Sequence, residues 1–246
     1  MDDKTKRLVI SPLTSAHDHP TADLIEALAH DKLTLGDDAH LTSTGTATTE
    51  MKKEGQEICQ YGAYLSETDY KIGKNMQIYA TQTGVKGASN TQINGNIYTI
   101  GIYNDHSAKG TIGAGLQDTV TVRDRAMGYV KGLYCGDGEV TLGDSSRITT
   151  RVENSDVFSD YGVHVKGTSQ LIMGKDSLVS VSHQGGTTNI IRGAYVYPEA
   201  AFTAGDNFRM DVVYDATNLE GTAYGILYEG KVKLGKNAHI TIVSGI

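Results

Sequence analysis

The sequence predicts an all-β protein: a single-stranded right-handed parallel β-helix with turns of about thirty residues and three short strands per turn. Three observations carry this prediction. A glycine recurs at a near-constant interval, apolar and polar residues alternate on both sides of it, and a glycine–aliphatic–aromatic phrase precedes it.

The recurring glycines are Gly36, Gly73, Gly113, Gly143, Gly174, Gly205 and Gly235, separated by 37, 40, 30, 31, 31 and 30 residues. Self-similarity at such a period marks a stacked-repeat architecture. The two long intervals carry insertions, and Thr42 to Gln56 and Thr81 to Asn96 are the longest candidate loops. Before each glycine, Leu33-Thr34-Leu35, Val140-Thr141-Leu142 and Val232-Lys233-Leu234 show the period of a half-buried strand. After it come Asp37-Asp38, Lys74-Asn75, Asp144-Ser145, Lys175-Asp176, Asp206-Asn207 and Lys236-Asn237, which suit a corner with positive φ, while the third unit departs with Ala114-Gly115. A second strand follows, with Leu41, Ile78, Val120, Ile148, Val179, Met210 and Ile240 as its central inward residues. Val120 requires about two extra residues at the third corner.

The preceding element reads Gly62-Ala63-Tyr64, Gly101-Ile102-Tyr103, Gly132-Leu133-Tyr134, Gly162-Val163-His164, Gly193-Ala194-Tyr195 and Gly225-Ile226-Leu227. Its aliphatic residue points inward, and by parity the glycine and the aromatic point outward. No repeat can bury its apolar faces alone, whereas stacking along one axis buries all of them. Seven turns at about 4.8 Å give a rod of roughly 34 Å. Leucine-rich repeats are the structural rival, but their leucine spacing and asparagine ladder are missing.

Residues 1–27 are expected to form a tail or cap, with helix formers over Thr21–His30, and residues 28–246 the solenoid. The last repeat ends at Ser244-Gly245-Ile246, which leads to the expectation of a solenoid truncated at its C-terminal end.

The formal net charge of −7, without basic runs, argues against nucleic acid as a partner. No apolar stretch is long enough for a membrane-crossing helix. Cys59 and Cys135 lie two repeats apart, beyond disulfide reach. His17-Asp18-His19 has metal-site spacing but no identifiable further ligand, so no metal or other cofactor is expected.

Gly143-Asp144-Ser145-Ser146 looks like a serine-nucleophile motif, yet Gly174-Lys175-Asp176-Ser177 and Gly205-Asp206-Asn207-Phe208 occupy the same repeat position. It therefore reads as a corner. Asp156 and Asp160, with Asp124 one repeat earlier, are candidate loop carboxylates, and solvated loop charge is the simpler reading. Other candidate loops after the second strand are Arg123-Asp124-Arg125, Glu153 to Asp160, His183 to Ile191 and Thr217 to Thr222. No catalytic residue is assigned.

The aromatic column Tyr64, Tyr103, Tyr134, His164 and Tyr195 is the candidate ligand-binding strip. Its plainer role is a stacking ladder that stabilises the face.

The repeat phrases around Gly143, Gly174, Gly205 and Gly235, rich in Gly, Thr, Asn and Tyr, resemble the passenger region of bacterial autotransporters. That resemblance implies a surface-displayed, non-enzymatic adhesin or stalk outside the bacterial cell. It also implies a host glycan, a surface protein or self-association as partner, and membrane attachment only through a C-terminal barrel missing from this sequence. The alternatives are a carbohydrate-active enzyme on the same fold, a polysaccharide lyase or glycoside hydrolase, and a purely structural spacer.

Overall fold

The computed structural model describes residues 7–10, 32–46, 57–84, 96–124, 128–215 and 219–245. These residues form 21 strands, numbered along the chain, and no helix. The helix expected over Thr21–His30 lies outside them, as does His17-Asp18-His19.

The strands stack into three parallel sheets. The bent sheet holds β4 (Glu57–Ser66), β7 (Asn96–Asp105), β10 (Tyr129–Cys135), β13 (Val157–Val165), β16 (Thr188–Val196) and β19 (Leu219–Tyr228). The short sheet holds β2 (Leu33–Leu35), β5 (Asp69–Ile72), β8 (Lys109–Ile112), β11 (Glu139–Leu142), β14 (Gln170–Met173), β17 (Ala201–Ala204) and β20 (Lys231–Leu234). The third sheet holds β1 (Arg7–Ile10), β3 (His40–Thr46), β6 (Gln77–Thr83), β9 (Gln117–Arg123), β12 (Arg147–Glu153), β15 (Leu178–Gln184), β18 (Arg209–Asp215) and β21 (His239–Gly245). The chain visits them in that order once per turn and pairs each strand with its equivalent one turn away. This is the predicted parallel β-helix. Within the expected N-terminal tail, β1 adds a strand beside β3.

The corner between short and third sheets explains why the recurring residue is glycine, and the reason differs from the expected one. The positive φ belongs to the second residue after the glycine: Asp38, Asn75, Gly115, Ser145, Asp176, Asn207 and Asn237. A Cβ on Gly143, Gly174 or Gly235 would overlap the backbone of the preceding corner. Glycine is needed because one turn rests directly on the next. Polar side chains tie the corners along the axis. Asp37, Asp144 and Asp206 accept the amides of Lys74, Lys175 and Lys236 at 2.7, 3.0 and 2.7 Å. Asn207 donates to Asp176 at 2.8 Å, and Asn237 donates to Asn207 at 3.1 Å. Ser145 is a corner residue, as its repeat position implied.

The glycines of the bent sheet also depart from expectation, because they point inward. A Cβ on Gly62, Gly132, Gly162 or Gly193 would overlap the side chain of Ile78, Ile148, Val179 or Met210, respectively, in the third sheet. The aliphatic residue that follows is buried too, as Leu133 and Val163 are. Two successive inward residues break strict alternation, and the strand bends there. The interior divides at the bend. A large cluster fills the space among all three sheets. A smaller one, including Val120, Val122, Val130 and Val152, lies between the third sheet and the first half of the bent sheet.

The third corner contains no extra residues. Ile78 and Ile148 both pair with Asp118, so Asp118, and not Val120, takes the central inward position. Inward parity is the same for both residues, which is why the hydrophobic pattern alone chose the valine. Asp118 is 1% exposed and neither carboxylate oxygen has a hydrogen-bond partner among the described residues. Burial raises its pKa well above the usual carboxylate range. Gly101, opposite, leaves the room in which Ile78 and Ile148 sit against Gly62 and Gly132.

Two stability predictions follow from these positions. Asp118→Ile is expected to raise stability at neutral pH by about 1–3 kcal/mol, the cost of an unsatisfied buried polar group. The folded wild type holds its proton to higher pH than the unfolded chain. Its stability is therefore free of the ionisation penalty below the ordinary carboxyl pKa of about 3.9, and falls as pH rises above it. Melting curves of both proteins across pH should show the gap narrowing toward acid; a constant or inverted gap would contradict the register. Gly132→Ala should destabilise by about 1–3 kcal/mol through overpacking against Ile148, measured by denaturant titration.

Candidate functional site

The bend shapes the outer surface as well as the core. Residues two before and one before the aliphatic position, Lys131 and Gly132 in β10, place Lys131 outward on one side of the bend and Tyr134 outward on the other. These outward side chains converge across the angle. The Lys131 ammonium lies 4.4 Å from the Tyr134 ring centroid, the Tyr61 and Tyr64 rings are 5.1 Å apart, and Tyr161 and His164 are 4.8 Å apart. The face is therefore re-entrant, and several side chains pointing away from the core are nonetheless buried in it. Lys131 and Arg192 are each 8% exposed, Tyr161 and His164 each 7%.

Parallel register turns these positions into columns. Tyr64, Tyr103, Tyr134, His164 and Tyr195 form one, as expected from the sequence. Tyr64 and Tyr103 stack at 5.0 Å with planes 4° apart, Tyr103 and Tyr134 at 4.9 Å and 20°, and His164 and Tyr195 at 5.6 Å and 20°. Between Tyr134 and His164 the contact turns edge-on, at 5.3 Å and 88°. A stacked ring has its faces covered by its neighbours. The column therefore offers solvent ring edges and hydroxyls in place of the flat apolar faces expected of a sugar platform.

Tyr61, Ile100, Lys131, Tyr161, Arg192 and Tyr224 form the second column across the bend. Lys131 lies over Tyr98, Tyr134 and Tyr161, at 5.5, 4.4 and 6.0 Å from the ring centroids. Arg192 lies over Tyr161, Tyr195 and Tyr224, at 5.2, 4.6 and 6.0 Å. Its Nη1 donates to the Tyr161 hydroxyl at 2.8 Å. Such cation–π contacts are worth about 2 kcal/mol when desolvated, which offsets part of the cost of burying each cation. The sequence reading missed this column because it began each phrase at the glycine. The signal stood one residue earlier, in Tyr61-Gly62, Lys131-Gly132, Tyr161-Gly162 and Arg192-Gly193.

His164 occupies the centre of the face. Tyr134, Tyr161, Tyr195 and Tyr197 surround its ring at 4.8–5.6 Å. Neither of its nitrogens has a hydrogen-bond partner among the described residues. Burial depresses its pKa well below the usual histidine value, with further depression from Lys131, Arg192 and Lys166. Burial likewise keeps the Tyr103 and Tyr134 hydroxyls protonated far above neutral pH. At the rim, Tyr103 donates to Asp105 at 2.7 Å and Tyr195 to Glu229 at 2.9 Å.

Where bent strands pass into short ones, a cleft of about 930 Å³ is lined by polar side chains that include Glu67, Asp69, His106, Lys109, Asp137 and Glu139. Lys109 and Glu139 pair across it at 2.9 Å. Asp105, beside it, accepts from the Tyr103 hydroxyl and from the amides of His106 and Asp137. It holds two turns in place.

The candidate loop carboxylates do not come together. Asp160 lies within β13 rather than in a loop; it points into the core, fully buried, with its carboxylate 2.7 Å from His183 Nδ1. Asp156 accepts from Thr187 at 2.9 Å, and Asp124 is half-buried. Only Asn154, Ser155 and Asp156 separate β12 from β13, and only Gly185, Gly186 and Thr187 separate β15 from β16, so these loops are shorter than expected. Cys59 and Cys135 are not joined, and burial pushes the Cys135 thiol up to about 12. Among the described residues no three His, Cys, Asp or Glu side chains gather as a metal site, and no helix is long and apolar enough to cross a membrane.

No family model matches the chain, and no curated protein or solved structure does.

His164 is expected to stay neutral where an ordinary histidine, with a pKa of about 6.5, titrates. Its ring NMR shifts should remain flat through that range in the wild type, and an ordinary titration would mean that the face is open to solvent.

Proposed function

We propose that the protein is a non-catalytic binding segment of a surface-displayed bacterial passenger, and that its bent sheet holds an extended glycan along the solenoid axis. The observation that carries this reading is the convergence of two outward columns at the glycine bend. It lines up aromatic ring edges turn after turn over five strands, four of the rings tyrosines and the fourth in order His164. An extended polymer meets the same chemistry at each step of about 4.8 Å, so many weak contacts add along one chain. The surface location and the adhesive or stalk role rest on the resemblance of the repeat phrases to autotransporter passengers. The fold is compatible with that location and does not by itself specify it.

A second reading is favoured by one observation. The cleft beside Tyr103 gathers Glu67, Asp69, Asp137 and Glu139, and glycan-cleaving enzymes work with paired carboxyl groups. Release of reducing ends from a polysaccharide panel, abolished by Asp137→Asn or Glu67→Gln, would establish it over the non-catalytic reading.

A glycan array probed with wild type and with Tyr134→Ala tests the binding face. Losing one ring contact of about 0.5–1.5 kcal/mol should weaken binding roughly two- to tenfold, with the melting curve showing that the solenoid persists. Equal signals from both proteins would rule out the aromatic strip.

A further inference from the structure

We infer that the boundary between the third and fourth turns is a built-in seam, at which the first three turns open together under the control of a proton on Asp118. The inference concerns the solenoid itself and does not depend on what the bent face binds.

The third turn, β7 to β9, breaks the apolar column in all three sheets. In the bent sheet Asn104 stands between Leu65 and Cys135. In the short sheet Gly110 stands between Tyr70 and Val140. In the third sheet Asp118 stands between Ile78 and Ile148. All six neighbours are buried, so each departure removes apolar contact from the interior of this one turn. A turn of a solenoid touches only the turns beside it, and the loss is therefore felt locally.

The two sides of the third turn are compensated unequally. Toward the second turn, the Tyr70 ring occupies the room that a Cβ on Gly110 would take, and its hydroxyl donates to Asn104 at 2.9 Å. Toward the fourth turn, Asn104 reaches Cys135 Sγ at 3.7 Å, and sulfur is a weak acceptor. In its core the third turn is thus tied more firmly to the second than to the fourth. Outside the core, Asp105 accepts the Asp137 amide and Lys109 pairs with Glu139 across the same boundary. Both members of that ion pair are more than half exposed, so it adds little.

Asp118 supplies the control. Neither of its oxygens has a hydrogen-bond partner among the described residues. The inward positions of β5 to β12 hold no other carboxylate and no cation; the titratable groups there are the Tyr70 phenol and the Cys135 thiol, which burial keeps protonated. Burial likewise keeps the Asp118 carboxyl protonated while the turns are stacked. Once they open, it ionises as an ordinary carboxyl of pKa about 3.9. The closed form is therefore fully favoured below that value and loses ground as pH rises. The opening equilibrium grows by up to about tenfold per pH unit until the buried carboxyl itself ionises. The seam also runs between Tyr103 and Tyr134, stacked neighbours in the aromatic column, so opening divides the outer face.

Hydrogen exchange followed by mass spectrometry at pH 5 and pH 7, corrected for the intrinsic exchange rate of each amide, tests the seam. In the wild type the opening constant of β4 to β9 should rise at least about tenfold between the two pH values, while that of β16 to β18 stays level. Asp118→Asn, polar but without a charge to gain, should open equally at both. Asp118→Ile should open about tenfold less than the wild type at pH 7 and show no pH dependence. If Asp118→Ile fails to fold, the comparison of the wild type with Asp118→Asn decides. An equal rise in β16 to β18 would assign the effect to global unfolding and overturn the seam. A pH dependence that persists in Asp118→Asn would overturn the role of Asp118, and unchanged protection of β4 to β9 in the wild type would overturn both.

Discussion

The missing Cβ at the centre of each bent strand is the constraint on which the rest of the molecule depends. Ile78, Ile148, Val179 and Met210 of the third sheet press against the backbone of the bent sheet at Gly62, Gly132, Gly162 and Gly193. Any side chain there would push the two sheets apart. Close approach leaves two successive residues inward and forces the strand to bend, and the bend draws the outward neighbours together. Core packing and surface chemistry are thus two consequences of one steric fact, repeated once per turn.

Stacking imposes a second economy. A contact that is favourable in one turn is repeated at the next, and one that is unfavourable would be repeated as well. The corner residues Asp144, Asp206, Asn207 and Asn237 exploit this by hydrogen bonding to the adjacent corner along the axis. Asp118 shows the opposite case. A single carboxyl replaces an aliphatic residue in the middle of its column, with aliphatic side chains in the turns on both sides. The surrounding repeats hold it in place at a cost that pH modulates. Asp160 and His183 are also buried, but they face each other at 2.7 Å and satisfy part of their polar demand.

The outer face holds cations at low exposure by surrounding them with tyrosines. Lys131 and Arg192 each lie over three rings, and burial on this face, with further depression from the cations, holds His164 neutral. The result is a strip of tyrosine edges, with Asp105 and Glu229 accepting from the Tyr103 and Tyr195 hydroxyls at its rim. It differs from a flat aromatic platform in what it shows to solvent, ring edges in place of ring faces.

Much of the fold was legible in the sequence because a solenoid writes its period into the chain. Gly143, Gly174, Gly205 and Gly235 mark equivalent corners, and Tyr103, Tyr134 and Tyr195 mark equivalent outward positions. Alternation alone then assigned inside and outside correctly wherever strands are straight. It failed at Gly132 and its equivalents, where a bend places two successive residues inward. It also failed at the third corner, where Asp118 and Val120 share the same parity and only pairing with Ile78 and Ile148 separates them. Column membership is a matter of spacing and could be read from sequence. Which columns meet across a bend, which charges become buried there, and whether a ring shows its face or its edge depend on the approach of the sheets, and only the tertiary structure decided them.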